Sequence, residues 1–535
     1  PDGETMEKTD PFGFFFEIAP RTASIVWDNA RFHWTDDAWL ERRRERNPRE
    51  DAMSVYELHL GSWRKNADDD SFAYRALAGR LVDYLRKMGF THVELLPVSE
   101  HAYYPSWGYQ VTGFYAPTSR YGTPEDFQHL INTLHEAGIG VIIDWVPAHF
   151  PKDDWALARF DGTPLFEDPD PLRAEHPDWG TAIFNYERPE VKNFLTANAR
   201  FWCDVFHVDG LRMDAVASML YLDFSRGEGE WTPNIHGGNE DLAAVELLRE
   251  TNRLLHDEFP GVATIAEEST AWPGVTKPTA AGGLGFTFKW DMGWMHDTLD
   301  FFQHDPVHRP WHHERLTFAA AYRDQENYFL PLSHDEVVHE KRSLLGRMPG
   351  DDEQRFANLR ALLGYQWLFP GKQLLFMGGE LGQATEWDAD GQIDWASLEE
   401  NELAAGTQKW VADLNRLYRD EPALWSGDYA EPGFLWVDCA DRLSSVVSFI
   451  RQTPDCSRCV QAILNLTPVT RPAYRLGLPR GGGWREVLNS DSEHYGGTNC
   501  GNAGGVQAQD VAWHNQPWSA EFTLPPLGCL VFVSS

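Results

Sequence analysis

Along most of this chain, apolar positions switch between two spacings. From about residue 53, short apolar runs alternate with stretches in which apolar residues recur every three or four positions. Val55 to Leu60 reads as a strand. Leu77, Leu81, Tyr84, Leu85 and Met88 then mark one face of a helix that Gly89 ends. His92-Val-Glu-Leu-Leu96 is a second short strand, closed by Pro97. Thr123-Pro-Glu-Asp126 supplies a cap, a proline at the first helical position and acids in the first turn, so a helix starts there and runs to Gly138. Val141 to Ile143 is a buried strand ending at Asp144. The rhythm continues with helices over 189–206, 239–259, 312–323, 352–368 and about 394–420. Further strands fall over 207–213, 262–266, 285–290, 328–332 and 373–377.

Eight strands separated mostly by helices imply a parallel sheet, and eight units imply closure into a (β/α)8 TIM barrel. An open doubly wound sheet is the alternative, but no G-x-G-x-x-G follows the first strand. Residues 53–420 exceed the roughly 250 of a bare barrel, so the βα loops carry insertions. The stretch 147–187, rich in Pro, Asp and Trp, is the clearest. After about residue 426 the helical period vanishes, and β-type runs such as 446–450 and 529–533 are separated by Gly, Pro and Asn turns. The expected plan is a barrel over 51–425 and an all-β domain over 426–535. In residues 1–50, Phe14, Phe15, Phe16 and Ile18 suggest a strand, and the charged run 41–46 suggests a linker.

Composition narrows the function. Acidic residues number 81 and basic residues 46, a net charge of −35. That balance speaks against nucleic acid and anionic membrane surfaces as partners. It leaves a neutral ligand such as a sugar untouched. Much of the aromatic content, 23 tryptophans included, belongs to the core, but flat rings also stack on sugar faces, so the excess points towards carbohydrate. Six cysteines make no disulfide framework, and the lone Cys456-x-x-Cys459 lacks the second pair a zinc site wants. No apolar run reaches membrane-spanning length and no signal peptide stands at the start, so a cytoplasmic location is expected. Nothing sets an oligomeric state; a monomer is the simplest expectation.

In such a barrel the chemistry lies at the C-terminal ends of the strands. The third strand ends in Asp144-Trp-Val-Pro-Ala-His149, the fourth in Arg212-Met-Asp214, the fifth in Ala266-Glu267 and the seventh in Ser333-His-Asp335. A single acid at a strand end is usually a cap or a solvated loop residue. Four on one rim favour a carboxylate-based site, because buried charge is costly. Residues two apart on a strand face the same side, so Arg212 and Asp214 point inward together. The guanidinium keeps Asp214 ionised, which suits a nucleophile; a structural ion pair is the plainer reading. With Glu267 as protonated partner, two carboxyls about 5 Å apart give retaining glycosyl transfer. A metal site is the rival, but Arg212 stands among the acids and no close His/Asp ligand pair is present.

Asp144–His149, Gly210–Asp214, Glu267 and His334-Asp335 resemble the four conserved regions of the α-amylase superfamily, glycoside hydrolase family 13. Longer stretches are similar to its branch-forming members: 106–110 (Ser-Trp-Gly-Tyr-Gln), 266–270, 289–297, 332–339 and 495–499. The resemblance implies Asp214 as nucleophile, Glu267 as general acid/base and Asp335 as transition-state stabiliser. It further implies that Arg212 holds Asp214, that His149 and His334 bind hydroxyls of the sugar at the cleaved bond, that Tyr109 stacks beneath it and that Asp144 supports the site. Glu268 should face away from it. The implied substrate is a linear α-1,4-glucan such as amylose or glycogen, with no cofactor. Residues 1–50 resemble the tail of an N-terminal β-sandwich module. Two positions depart from the family. Ala148 replaces an Asn that binds a structural calcium in many amylases, so no metal is expected, and Glu340 stands where a small residue is usual. Hydrolysis on the same site, or glucan binding without catalysis, are the other readings.

Overall fold

A computed structural model describes residues 5–65 and 73–534. Eight strands form a closed barrel: β1 (Ser54–Leu58), β2 (His92–Leu95), β3 (Gly140–Trp145), β4 (Gly210–Met213), β5 (Ala263–Ala266), β6 (Phe288–Trp290), β7 (Tyr328–Leu332) and β8 (Lys372–Phe376). Their order around the barrel is their order in the chain, and β8 closes on β1. Pairs from β2 to β6, and β7–β8–β1, are parallel with in-phase registers. Chain-order neighbours and helical crossovers are what right-handed βαβ units produce. Almost every residue of these strands is buried. That is why they read as continuous apolar runs and not as alternating ones.

By contacts the chain divides into two units. The first holds β2–β6. Its helices start as the sequence indicates: in Pro124–Glu136, Thr123 and Asp126 form a reciprocal capping box with Pro124 behind the cap. The loop after β2 makes a small antiparallel hairpin, Ser99–Glu100 with Gly113–Pro117, which the sequence did not signal. The loop after β3 carries a three-stranded sheet of His149–Phe150, Thr181–Ile183 and Glu175–His176.

The expected strand near Phe14–Ile18 does not form. Only an isolated bridge, Phe16 with Ser24, is present. Each ring finds a different partner: Phe14 stacks on Phe201 and Phe15 tilts against Trp27, while Phe16 is buried. The expected linker is instead partly a helix, α1 (Asp37–Arg44). Asp36 and Arg43 tie it to the base of β3 and β4. Asp209 accepts from the Arg43 guanidinium (3.0 Å), the Trp39 indole (2.8 Å) and the Val141 N–H (2.7 Å). His135 bridges Asp36 (2.8 Å) and Asp209 (2.9 Å).

The second unit holds β7, β8, most of β1 and the C-terminal region. The helix after β6 is Met292–Gln303, with the Asp291 side chain accepting from the Trp294 N–H, and a five-residue helix, His313–Thr317, followed by a 3-10 turn, Phe318–Ala321, stands where a longer helix was expected. Apolar residues at 294, 295, 299, 301 and 302 had the helical spacing all along; Pro306 and Pro310 then interrupt it. Beyond Phe434 a six-stranded sheet and a two-stranded sheet share one apolar core. Ile450, Ile463 and Phe532 of the larger meet Leu476, Phe522 and Leu524 of the smaller, with the Phe522 and Phe532 rings 5.0 Å apart.

Candidate active site

β4 sets the site. Its register places Arg212 opposite Asp144 of β3 and opposite Ile265 of β5. The carboxyls that follow on each strand therefore reach one level. Arg212 Nη1 donates to both oxygens of Asp144 (2.7 and 2.8 Å) and to Asp214 Oδ1 (2.9 Å). Its Nη2 lies 2.9 Å from Glu267 Oε2. Below it the Trp290 ring lies 4.4 Å from the guanidinium carbon. A guanidinium that is only 1% exposed needs this set of acceptors, because an unpaired buried cation is strongly unfavourable.

The backbone fixes Glu267 as firmly as the side chains do. Its N–H donates to the Met213 carbonyl, continuing the β4–β5 ladder (3.1 Å). Ala215 takes a left-handed φ of 53°, and its N–H donates to Glu267 Oε2 (2.7 Å). The short helix Val216–Leu220 begins at that residue. Glu268 does turn away. Its carboxylate accepts from Lys289 of β6 (2.7 Å) and from the Thr270 N–H (2.7 Å), and Lys289 also donates to the Thr270 carbonyl. This buried pair pins the chain immediately after Glu267.

Around these acids, the Tyr109 hydroxyl donates to Asp144 Oδ2 (2.5 Å) and His149 Nε2 lies 3.7 Å from Asp214 Oδ2. Burial would raise the Asp214 pKa. Hydrogen bonds from His149 and with Glu267, and the Arg212 charge, outweigh it and hold the carboxyl below its ordinary value. Asp144 goes the other way: burial and the Asp214 charge raise it despite Arg212. Two acids on one arginine are thus pushed apart.

Six of the eight expected site residues, Tyr109, Asp144, His149, Arg212, Asp214 and Glu267, lie in one connected cluster. The other two, His334 and Asp335, leave the C-terminal end of β7. Here the structure adds a residue the sequence did not single out. Glu57, fully buried on β1, accepts from the His334 N–H (2.9 Å) and pairs with its Nδ1 (2.6 Å). That leaves Nε2 on the side of Asp335, 3.5 Å from Oδ1, and Asp335 is part-exposed. The only sign of Glu57 in the sequence is an acid inside an otherwise apolar strand.

A closed parallel barrel with an acid-and-arginine cluster at its strand ends, followed by a β-sandwich, defines a class. The family model "Alpha amylase, catalytic domain" matches residues 77–160 and 178–455, and "Alpha amylase, C-terminal all-beta domain" matches 436–535. The chain belongs to the α-amylase family. Among curated relatives, "1,4-alpha-glucan branching enzyme GlgB" of Mycobacterium tuberculosis is 56% identical over 529 residues, covering 99% of this chain and 71% of that protein. The protein of the same name from Rubrobacter xylanophilus is 57% identical over 520 residues, covering 97% and 72%. Solved structures of alpha-amylases from Anoxybacillus (TM-score 0.66, 17% identity, 91% of this chain and 98% of that one) and Geobacillus thermoleovorans (TM-score 0.62, 15% identity, 91% and 99%) share the fold.

Proposed function

We propose that this chain is a 1,4-α-glucan branching enzyme, a glycosyltransferase that cuts an α-1,4 bond of a linear glucan and rejoins the segment to a 6-hydroxyl. Identity of 56–57% over nearly the whole chain to relatives of that name supports the acceptor. The grip of one guanidinium, Arg212, on both Asp214 and Glu267 at 2.9 Å each carries the mechanism. Two carboxyls on one guanidinium repel each other's charge, and His149 and Arg212 hold Asp214 below its ordinary value, so Asp214 is the one that ionises first. Asp214 is then the anion and Glu267 the acid.

Asp214 attacks C1 of the glucosyl unit while Glu267 protonates the departing 4-oxygen. The C1–O4 bond breaks, a glucosyl ester forms on Asp214, and a chain end leaves. Glu267, now anionic, takes the proton of an incoming 6-hydroxyl, whose oxygen attacks C1 and releases Asp214. One α-1,4 bond is lost and one α-1,6 bond gained. No redox cofactor or nucleotide enters this balance. Arg212 touches no sugar in this scheme: its donors are committed to three acids, so it is a positioning residue. His149 and His334 bind hydroxyls of the glucosyl unit, Tyr109 supports its ring, and Asp335 stabilises the oxocarbenium-like state. Six free cysteines fit work in the cytoplasm.

Asp214→Asn and Glu267→Gln test the assignment. Each should lower kcat on amylose by at least about 10³-fold with an unchanged far-UV spectrum. Retention of more than a tenth of the activity by Asp214→Asn would refute the nucleophile.

A further inference from the structure

The insertion that carries His149 also carries an aromatic wall that the scheme above does not use. His149 pairs with Ile183, and His176 with Thr181, across the small antiparallel sheet after β3. Between its last two strands, Pro177-Asp-Trp-Gly180 makes the hairpin tip. Gly180 closes the turn by donating to the His176 carbonyl (2.9 Å) at a φ of +66°, a conformation that side chains rarely adopt.

This turn sets Trp179 over the sheet. Its ring centroid lies 4.6 Å from His176, 5.2 Å from His149 and 5.9 Å from Phe224. His149 in turn stands 3.7 Å from Asp214. An indole with three ring neighbours would ordinarily be buried, yet Trp179 is 40% exposed. His176, by contrast, is buried. Burial pushes its pKa down to about 3, so it backs the indole as a neutral ring. Arg226, from the loop after β4, donates to the Glu175 carbonyl and ties a second insertion to the hairpin. The indole is therefore held on one side, open on the other, and one residue contact away from Asp214.

A flat apolar surface beside a carboxylate centre, in a chain of net charge −35, suits a neutral ring with apolar C–H faces. We propose that Trp179 is the platform on which the glucosyl unit next to the scissile bond stacks, so that the hairpin tip sets how tightly the glucan is held across Asp214. This rests on the α-glucan reading of the site.

The test is binding of maltoheptaose, by calorimetry, to the full chain carrying Asp214→Asn, so that no turnover intervenes. Adding Trp179→Ala should raise Kd about ten-fold, equivalent to about 1.4 kcal/mol. Trp179→Phe, which keeps a ring, should stay within about three-fold. Where Trp179→Ala lowers Tm, Trp179→Leu replaces it, keeping apolar bulk without a ring, with the same ten-fold weakening expected. Unchanged affinity in the variant without a ring overturns the proposal, as does equal weakening by Phe and by Leu or Ala at unchanged Tm. If the chain with Asp214 intact branches amylose and the platform variants bind as tightly as the Asp214→Asn parent, the platform alone fails. If the Asp214→Asn parent does not bind maltoheptaose and the chain with Asp214 intact does not act on amylose, it is the α-glucan reading that fails.

Discussion

Arginine at position 212 meets a demand that lysine could not. Its planar fork spreads donors over Asp144, Asp214 and Glu267, where an ammonium would satisfy one point. This part of the site was legible because residues two apart on a strand share a face, and because acids ended several strands. Glu57 was not legible: it acts through His334, a contact made across 277 positions of sequence that no local pattern encodes. Glu340 shows the reverse. It departs from the family's small residue, and the structure gives that departure its physical meaning. Glu340 sits at φ 65°, between His339 at 56° and Arg342 at 68°, while the N–H groups of Glu340 and Arg342 converge on the Glu386 carboxylate. The left-handed region costs a side chain about 1–2 kcal/mol, and glycine gives part of that back as unfolded-state entropy. Glu340→Gly should therefore stabilise by about 0.5–1 kcal/mol, read as a higher urea midpoint; an unchanged or lower midpoint contradicts the strain.

Among the elements, α1 shows how a charged run becomes structure. Read alone, 41–46 is solvated. In the fold Arg43 and Trp39 meet Asp209, and Asp36 meets His135 and His207. Burial would raise both aspartates, but the histidine and arginine contacts hold them well below the ordinary range. The same contacts overcome burial to raise His135. The signs give a window. The aspartates add stability that is complete above their unfolded pKa of about 4 and is lost as pH falls further. His135 adds stability that is complete below about 6.5 and is lost as pH rises through its higher folded value. The network is thus strongest between about pH 4 and 6.5. His135→Gln should lower Tm most within that window and least above pH 9, as followed by scanning calorimetry across pH. A loss of equal size at every pH would show that the histidine acts by packing alone.

For the whole molecule, the barrel was readable because strands buried on both sides leave long apolar runs, and because helices between them carry caps in plain sequence. The beginning of the chain was not readable, since the Phe14 ring answers to Phe201 and the Phe15 ring to Trp27, and not to a neighbouring strand. The net charge of −35 is likewise a property of the whole. Self-repulsion at that charge weakens as salt screens it, so Tm should rise between about 10 mM and 0.5 M NaCl. A flat or falling Tm would show that the acids are already paired or dispersed.

In the proposed reaction the intermediate on Asp214 is taken by a 6-hydroxyl and not by water. Incubation with amylose, followed by proton NMR of the anomeric region alongside a reducing-end assay, measures that choice directly. New α-1,6 signals with few new reducing ends are the predicted result. Reducing ends rising with no α-1,6 signal would contradict it and make the same barrel, with the same acids, a hydrolase.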